Sequence, residues 1–208
     1  MLTYEIALSF FGIAVLLALA PGPDNLFVMV QSATAGRTSG MLVVLGLCTG
    51  LLGHTFAVAA GLAAVLAASE AAFTMLKLAG AAYLTWLAWG ALRSKGEAHA
   101  GGRPLRLGAG QLYRRGIVMN LTNPKVTLFF LAFLPQFTAP ARGSIVPQIL
   151  SLGGLFMLAT LLVFGAIAWF AGMLGERMRQ SARAQRLLNR AAGVVFLGLA
   201  IKLVLSER

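Results

Sequence analysis

Negative charge is what this sequence has least of: six acidic residues stand against 17 lysines and arginines in 208 positions, and Asp24 is the only aspartate. Charged residues of both signs make up 11%, against about 25% in soluble domains, so the chain cannot assemble a water-facing surface. Cysteine occurs once, at Cys48, which excludes an internal disulfide, a thiolate metal cluster and a dithiol redox pair. With two histidines and no cluster of ligating side chains in the apolar stretches, neither a metal nor a cofactor is expected. Glu5, Glu70, Glu97, Glu176 and Glu207 lie between apolar runs or near their ends. That leaves no nucleophile or acid–base constellation, and the chain does not read as an enzyme.

Apolar residues fill the sequence instead, 59% of it, in long blocks. A bilayer core of roughly 30 Å takes about 20 apolar residues per helix, and six blocks reach or approach that length: 5–31, 41–67, 73–92, 116–137, 145–174 and 191–205. Lipid offers no hydrogen-bond partners, so each span must satisfy its own backbone, which predicts an all-α, polytopic membrane protein with six transmembrane helices. The opening residues, Met1 to Glu5, lack the positive region of a secretory signal, so the first span reads as retained.

The formal net charge of +11 is carried between the spans. The first, third and fifth loops hold 12 lysines and arginines and the second and fourth hold one, Arg142. That asymmetry puts the odd loops in the cytoplasm and both termini outside, and it accounts for the basicity without nucleic acid. The segment 93–115 is basic and glycine-rich, and divides the chain into halves at 1–92 and 116–208.

The halves share two patterns. Lys77-x-x-Gly80-x-x-Tyr83-Leu84 returns as Arg190-x-x-Gly193-x-x-Phe196-Leu197, and Pro21-Gly22-Pro23-Asp24 faces Thr122-Asn123-Pro124-Lys125. Three spans per half require opposite orientations in the membrane, the inverted-repeat arrangement of many transporters.

Proline removes a backbone donor and clashes with the preceding turn, so Pro21-Gly22-Pro23 should break span one and Asn123-Pro124 span four. A broken helix offers free N–H groups to a carboxylate and free carbonyls to an ammonium, which suits a small zwitterion. Asp24 follows the first break inside an apolar span, where a charge costs about 2.5–3.5 kcal/mol on insertion scales. Two roles are open to it: a structural ion pair with Lys125, or contact with the substrate amine or the coupling proton. Asn25, Asn120 and Asn123 flank the breaks and either bind substrate or satisfy unwound backbone. His54 follows Gly46, Gly50 and Gly53 on a small-residue stripe that permits close helix contact, within the chain or in a homodimer; it reads as a cross-helix hydrogen bond or a proton relay. Lys77, Arg190, Trp86, Trp89 and Trp169 read as interfacial or packing residues.

Taken together, Ala20-Pro21-Gly22-Pro23, the Gly46/Gly50/Gly53/His54 stripe, Lys77-x-x-Gly80-Ala-x-Tyr83-Leu84, Tyr113 with Arg115-Gly116, Asn120-Leu-x-Asn123-Pro124-Lys125 and Phe133-Leu134-Pro135-Gln136-Phe137 occur in one order along nearly the whole chain. In this the sequence resembles the LysE/RhtB family of bacterial amino-acid exporters. The resemblance implies a permease of the bacterial cytoplasmic membrane that expels amino acids or close analogues, driven by protons. The competing classes are an exporter or channel for another small cation or zwitterion and, further off, a membrane-embedded enzyme. Leu26, Phe27, Met29 and Phe129 near the breaks suggest room for a neutral aliphatic side chain.

Overall fold

The computed structural model describes residues 2–68, 70–93, 107–180 and 182–205. It contains no strand among them. The elements are α1 (Tyr4–Leu19), α2 (Pro23–Ala35), α3 (Arg37–Ala68), α4 (Glu70–Arg93), α5 (Ala109–Leu121), α6 (Pro124–Leu128), α7 (Ile145–Gln180) and α8 (Ala182–Leu205). Between α6 and α7 the chain passes through a π-helical segment, Phe129–Phe133, and two short 3₁₀ turns.

Both proline breaks form where the sequence places them. α1 ends at Leu19, Ala20 and Gly22 are extended, and α2 starts with Pro23 in its first turn, bent by 64° from α1. α5 ends at Leu121, Asn123 caps α6 by accepting from the Lys125 N–H (3.0 Å), and Pro124 opens α6 at a 49° bend. Proline is tolerated in a first turn because its missing N–H is unpaired there in any case. Pro23 and Pro124 thus hold equivalent positions, and Asp24 and Lys125 each follow one of them.

α3 over Arg37–Gly61 and α7 over Ile145–Ala171 are each long and apolar enough to cross a bilayer, and each bent pair passes as one broken span. Among the described residues, two helices thus have the length and composition of a membrane span, and up to four spans result if each bent pair is counted as one. α4 and α8, 24 residues each, pack along one another, with Gly193 set so closely against Leu92 and the Ala88 carbonyl that a Cβ would clash. The outside is apolar: Phe56, Leu162, Trp86, Trp89 and Trp169 are all exposed. This surface suits lipid and not water.

Several helix ends run past the apolar blocks, three of them most clearly. α5 begins at Ala109 and not at 116, so Arg114 and Arg115 lie on it, while 94–106 of the expected linker fall outside the described residues. α7 continues to Gln180 and α8 starts at Ala182 and not at 191. The reason is common to all three: Ala, Leu, Arg, Met and Gln are strong helix formers whether or not they are apolar, so the helices outrun the hydrophobic stretch.

Packing falls into two clusters. One gathers Phe10, Phe129, Phe130, Phe133, Phe137 and Phe156 from α1, the π segment, the 3₁₀ turn that follows it and α7. The Phe10–Phe137 pair is edge-on at 5.1 Å, and Phe129 lies 5.2 Å from Phe156. The other joins Val28, Val43, Val44, Leu47, Leu112, Phe164 and Ala168. The glycine stripe of α3 is used inside the chain: a Cβ on Gly46 would fall on the Tyr113 carbonyl and one on Gly116 on the Val43 carbonyl, while the Asn120 side chain fills the space beside Gly50. The feature that pointed to a homodimer is thereby covered by α5.

Candidate functional site

The two breaks meet. Asp24, in the first turn of α2, is 3% exposed, and its Oδ2 accepts a 2.7 Å hydrogen bond from Asn123 Nδ2, 99 residues away. The first turn of a helix favours a carboxylate through the helix dipole. Its second oxygen, Oδ1, is buried without a hydrogen-bond partner.

Lys125 is buried as well, yet it does not close onto Asp24. Its Nζ donates to the carbonyls of Ala20 (3.1 Å) and Leu17 (3.3 Å), the last turn of α1. Gly22 makes room for this reach, since a Cβ there would stand 3.3 Å from the ammonium. Asn25 takes a third carbonyl of the same helix end, donating from Nδ2 to Ala18 O (2.7 Å). A cation at a helix C-terminus is stabilised by the dipole and by the unpaired carbonyls. The carbonyls that the break was expected to offer to a substrate ammonium are therefore engaged by the protein's own side chains. The direct Asp24–Lys125 ion pair weighed from the sequence does not form: the carboxylate is held by Asn123 and the ammonium by the end of α1.

Between the breaks lies a cavity lined by Leu17, Ala18, Asp24, Leu47, Asn120, Lys125, Val126, Phe156, Thr160 and Phe164, about 20 Å³ in volume. A water needs roughly 10–15 Å³ on that measure, so an amino acid enters only if the surrounding helices part. The wall is two-sided: a carboxylate, an ammonium and an amide on one part, and aliphatic and aromatic carbon on the other.

The expected site residues divide accordingly. Asp24, Asn120 and Lys125 line the cavity. Asn123 and Asn25 stand behind them, orienting Asp24 and the end of α1. Pro21, Pro23 and Pro124 are exposed and shape the breaks, with Gly22 between them. His54 is off the cavity, its Nε2 3.3 Å from the Asn120 carbonyl and its ring 5.5 Å from Phe130. Sequence reasoning missed Thr160, Phe156, Phe164 and Leu47. A single threonine within the apolar run 155–164 is the one faint signal of them.

A sequence model of the family described as LysE type translocator matches residues 15–207. Relatives include a homoserine/homoserine lactone efflux protein of Salmonella typhimurium, 32% identical over 94% of this chain and 94% of its own length. A leucine efflux protein of Enterobacter sp. is 28% identical over 91% and 90%. An uncharacterized membrane protein of Vibrio cholerae is 32% identical over 93% and 94%. No solved structure matches.

Proposed function

The chain belongs to the LysE type translocator family, and from that premise we propose that it is a secondary exporter of amino acids or close analogues. In this reading it crosses the bacterial cytoplasmic membrane six times as two inverted halves, 1–92 and 116–208, with both termini outside. Broken helices at matching positions and the loop charge asymmetry support that topology.

The observation that carries the reading is a buried carboxylate and a buried ammonium, one from each break, lining a single cavity beside an apolar wall. A zwitterion presents both charges on one carbon. Asp24 Oδ1, buried and without a partner, is the acceptor for its ammonium. Lys125, released from Ala20 and Leu17, is the donor for its carboxylate. Asn120 adds an amide at the same wall, and Phe156, Phe164 and Leu47 receive an aliphatic side chain. Asp24 also accepts the coupling proton, and His54 is the second candidate for that role. Substrate and proton at one carboxylate give alternating access its coupling, because each must leave before the other binds.

The test is efflux from proteoliposomes loaded with a labelled amino-acid mixture, with and without an imposed proton gradient. Gradient-dependent, saturable loss of particular amino acids in the wild type, absent in Asp24→Asn, is the expected result. Non-saturating flux through a folded preparation identifies a channel instead.

A further inference from the structure

The buried face of α2 does not end at Asp24. It continues through Val28 to Gln31 and Ser32, four and seven to eight residues on, the spacing of one helix face. Gln31 is 2% and Ser32 4% exposed, and Gln31 Oε1 and Ser32 Oγ are buried without a hydrogen-bond partner. A buried polar atom left unpaired is costly, and more so where lipid replaces water.

Ser32 also departs from what most of the described helical hydroxyls do. Thr34, Ser39, Thr49, Thr55, Thr85, Thr122, Thr127 and Ser151 each bond back to the carbonyl four residues earlier. That is the ordinary way to hide a hydroxyl in a helix. Ser32 leaves its carbonyl alone and turns to the junction of α2, α3 and α7, where Gly40 is so close that a Cβ would fall on Ser32 Oγ and lie 3.2 Å from Ala168.

Val28 stands between the two polar levels. It is fully buried in one cluster with Val43, Val44, Leu47, Phe164 and Ala168, and Leu47 and Phe164 of that cluster also wall the cavity. Along α2 the order is therefore a carboxylate at the cavity, one apolar layer, then a carboxamide and a hydroxyl about 10 Å further along the axis, and finally the Gly36–Arg37 turn. All three partnerless atoms on this face are oxygens, able to accept hydrogen bonds.

We propose that this face of α2 is one leg of the transport route, leading from the cavity to the Arg37 end of the helix. Gln31 and Ser32 form a second polar station that receives the substrate's ammonium, with Val28 and Phe164 as the apolar gate between stations. The inference rests on the exporter reading for the identity of the substrate, but its geometry is testable alone. A thiol reacts with an aqueous reagent only where water reaches it.

With Cys48 replaced by alanine, Gln31→Cys, Ser32→Cys and Val28→Cys are each installed in the full chain, reconstituted, and titrated with a cationic and an anionic methanethiosulfonate of similar size. Positions 31 and 32 should label at least about tenfold faster than 28, faster with the cation, and more slowly when a transported amino acid is present. Equal labelling at 28, 31 and 32, or preference for the anion, overturns the proposal. In the same vesicles, Gln31→Leu combined with Ser32→Ala should lower the efflux rate while the protein still elutes as a single folded species. If the wild type moves no amino acid and 31 and 32 still label selectively, the exporter reading fails and the leg stands. If the wild type transports and neither position labels, the leg fails and the exporter reading stands.

Discussion

The ammonium of Lys125 sits 3.1 Å from the carbonyl oxygen of Ala20, on the far side of a helix break in the other half of the chain. Together with the bonds from Lys125 to Leu17 and from Asn123 to Asp24, it joins the second break to the first. It also puts a cation on the helix end that would otherwise draw the substrate's own.

Removing that cation tests its structural share. Lys125→Met leaves the buried Ala20 and Leu17 carbonyls without their donor, a loss of about 1–3 kcal/mol for each acceptor left unpaired, and takes a buried cation away from the break that holds Asp24. Adding Asp24→Asn should return a large part of the lost melting temperature in detergent, because no lone charge then remains. A double variant no more stable than Lys125→Met means that the two charges are not coupled.

For transport the same residues separate differently. Asp24→Asn keeps shape but loses charge, and losing a hydrogen bond to a charged group of about 1.5–3 kcal/mol corresponds to roughly 10–100-fold weaker handling of an ammonium substrate. Initial efflux rates at several substrate concentrations measure this. His54→Gln, which can keep a bond to the Asn120 carbonyl, should retain gradient-driven efflux; its loss there gives His54 the proton.

Asn123 has two jobs, capping α6 through Oδ1 and holding Asp24 through Nδ2. Asn123→Ser preserves a capping oxygen and removes the reach to Asp24, whereas Asn123→Ala removes both. The alanine variant should be about 1 kcal/mol less stable than the serine variant, with both impaired in efflux. Thermal melts and flux on the same preparations separate the two effects.

The α3–α5 crossing predicts a contrast within one helix. Gly46→Ala forces a Cβ onto the Tyr113 carbonyl and should cost about 1–3 kcal/mol as overpacking. Gly61→Ala, with nothing within 4 Å of its Cβ, should be neutral or stabilising by up to about 1 kcal/mol through helix propensity. Yield of monodisperse protein and its melting temperature report both.

Much of the fold is legible in the residues because lipid narrows the choices. Apolar runs of bilayer length and a proline in the middle of two of them leave little but broken helices, and both breaks appear at Pro21–Pro23 and Asn123–Pro124. Asp24 is legible for the same reason: an aspartate inside such a run needs a cause. What was hidden depends on distances between residues far apart in sequence. Nothing in Lys125 announces that it prefers the carbonyls of Leu17 and Ala20 to the carboxylate that follows the other break. The π-helical turn at Phe129–Phe133 leaves no mark in a run of three phenylalanines, a leucine and an alanine. Gln31 closes the first apolar run and Ser32 lies just past it, and only their burial shows that they face inward.

The phenylalanine cluster around Phe10, Phe129 and Phe156 has a different meaning here from the one it has in a water-soluble core. There, association removes aromatic surface from water; between helices already inserted in lipid, the surroundings being left are themselves hydrocarbon, and that driving force is gone. What remains is dispersion and fit between rings, together with the few polar bonds that have no alternative partner in the bilayer. The arrangement of α1, α6 and α7 is then specified less by how greasy the cluster is than by its shape, and by Asn123 on Asp24 and Lys125 on Ala20. A leucine in place of Phe129 would be as content among acyl chains and still leave a misfitting joint.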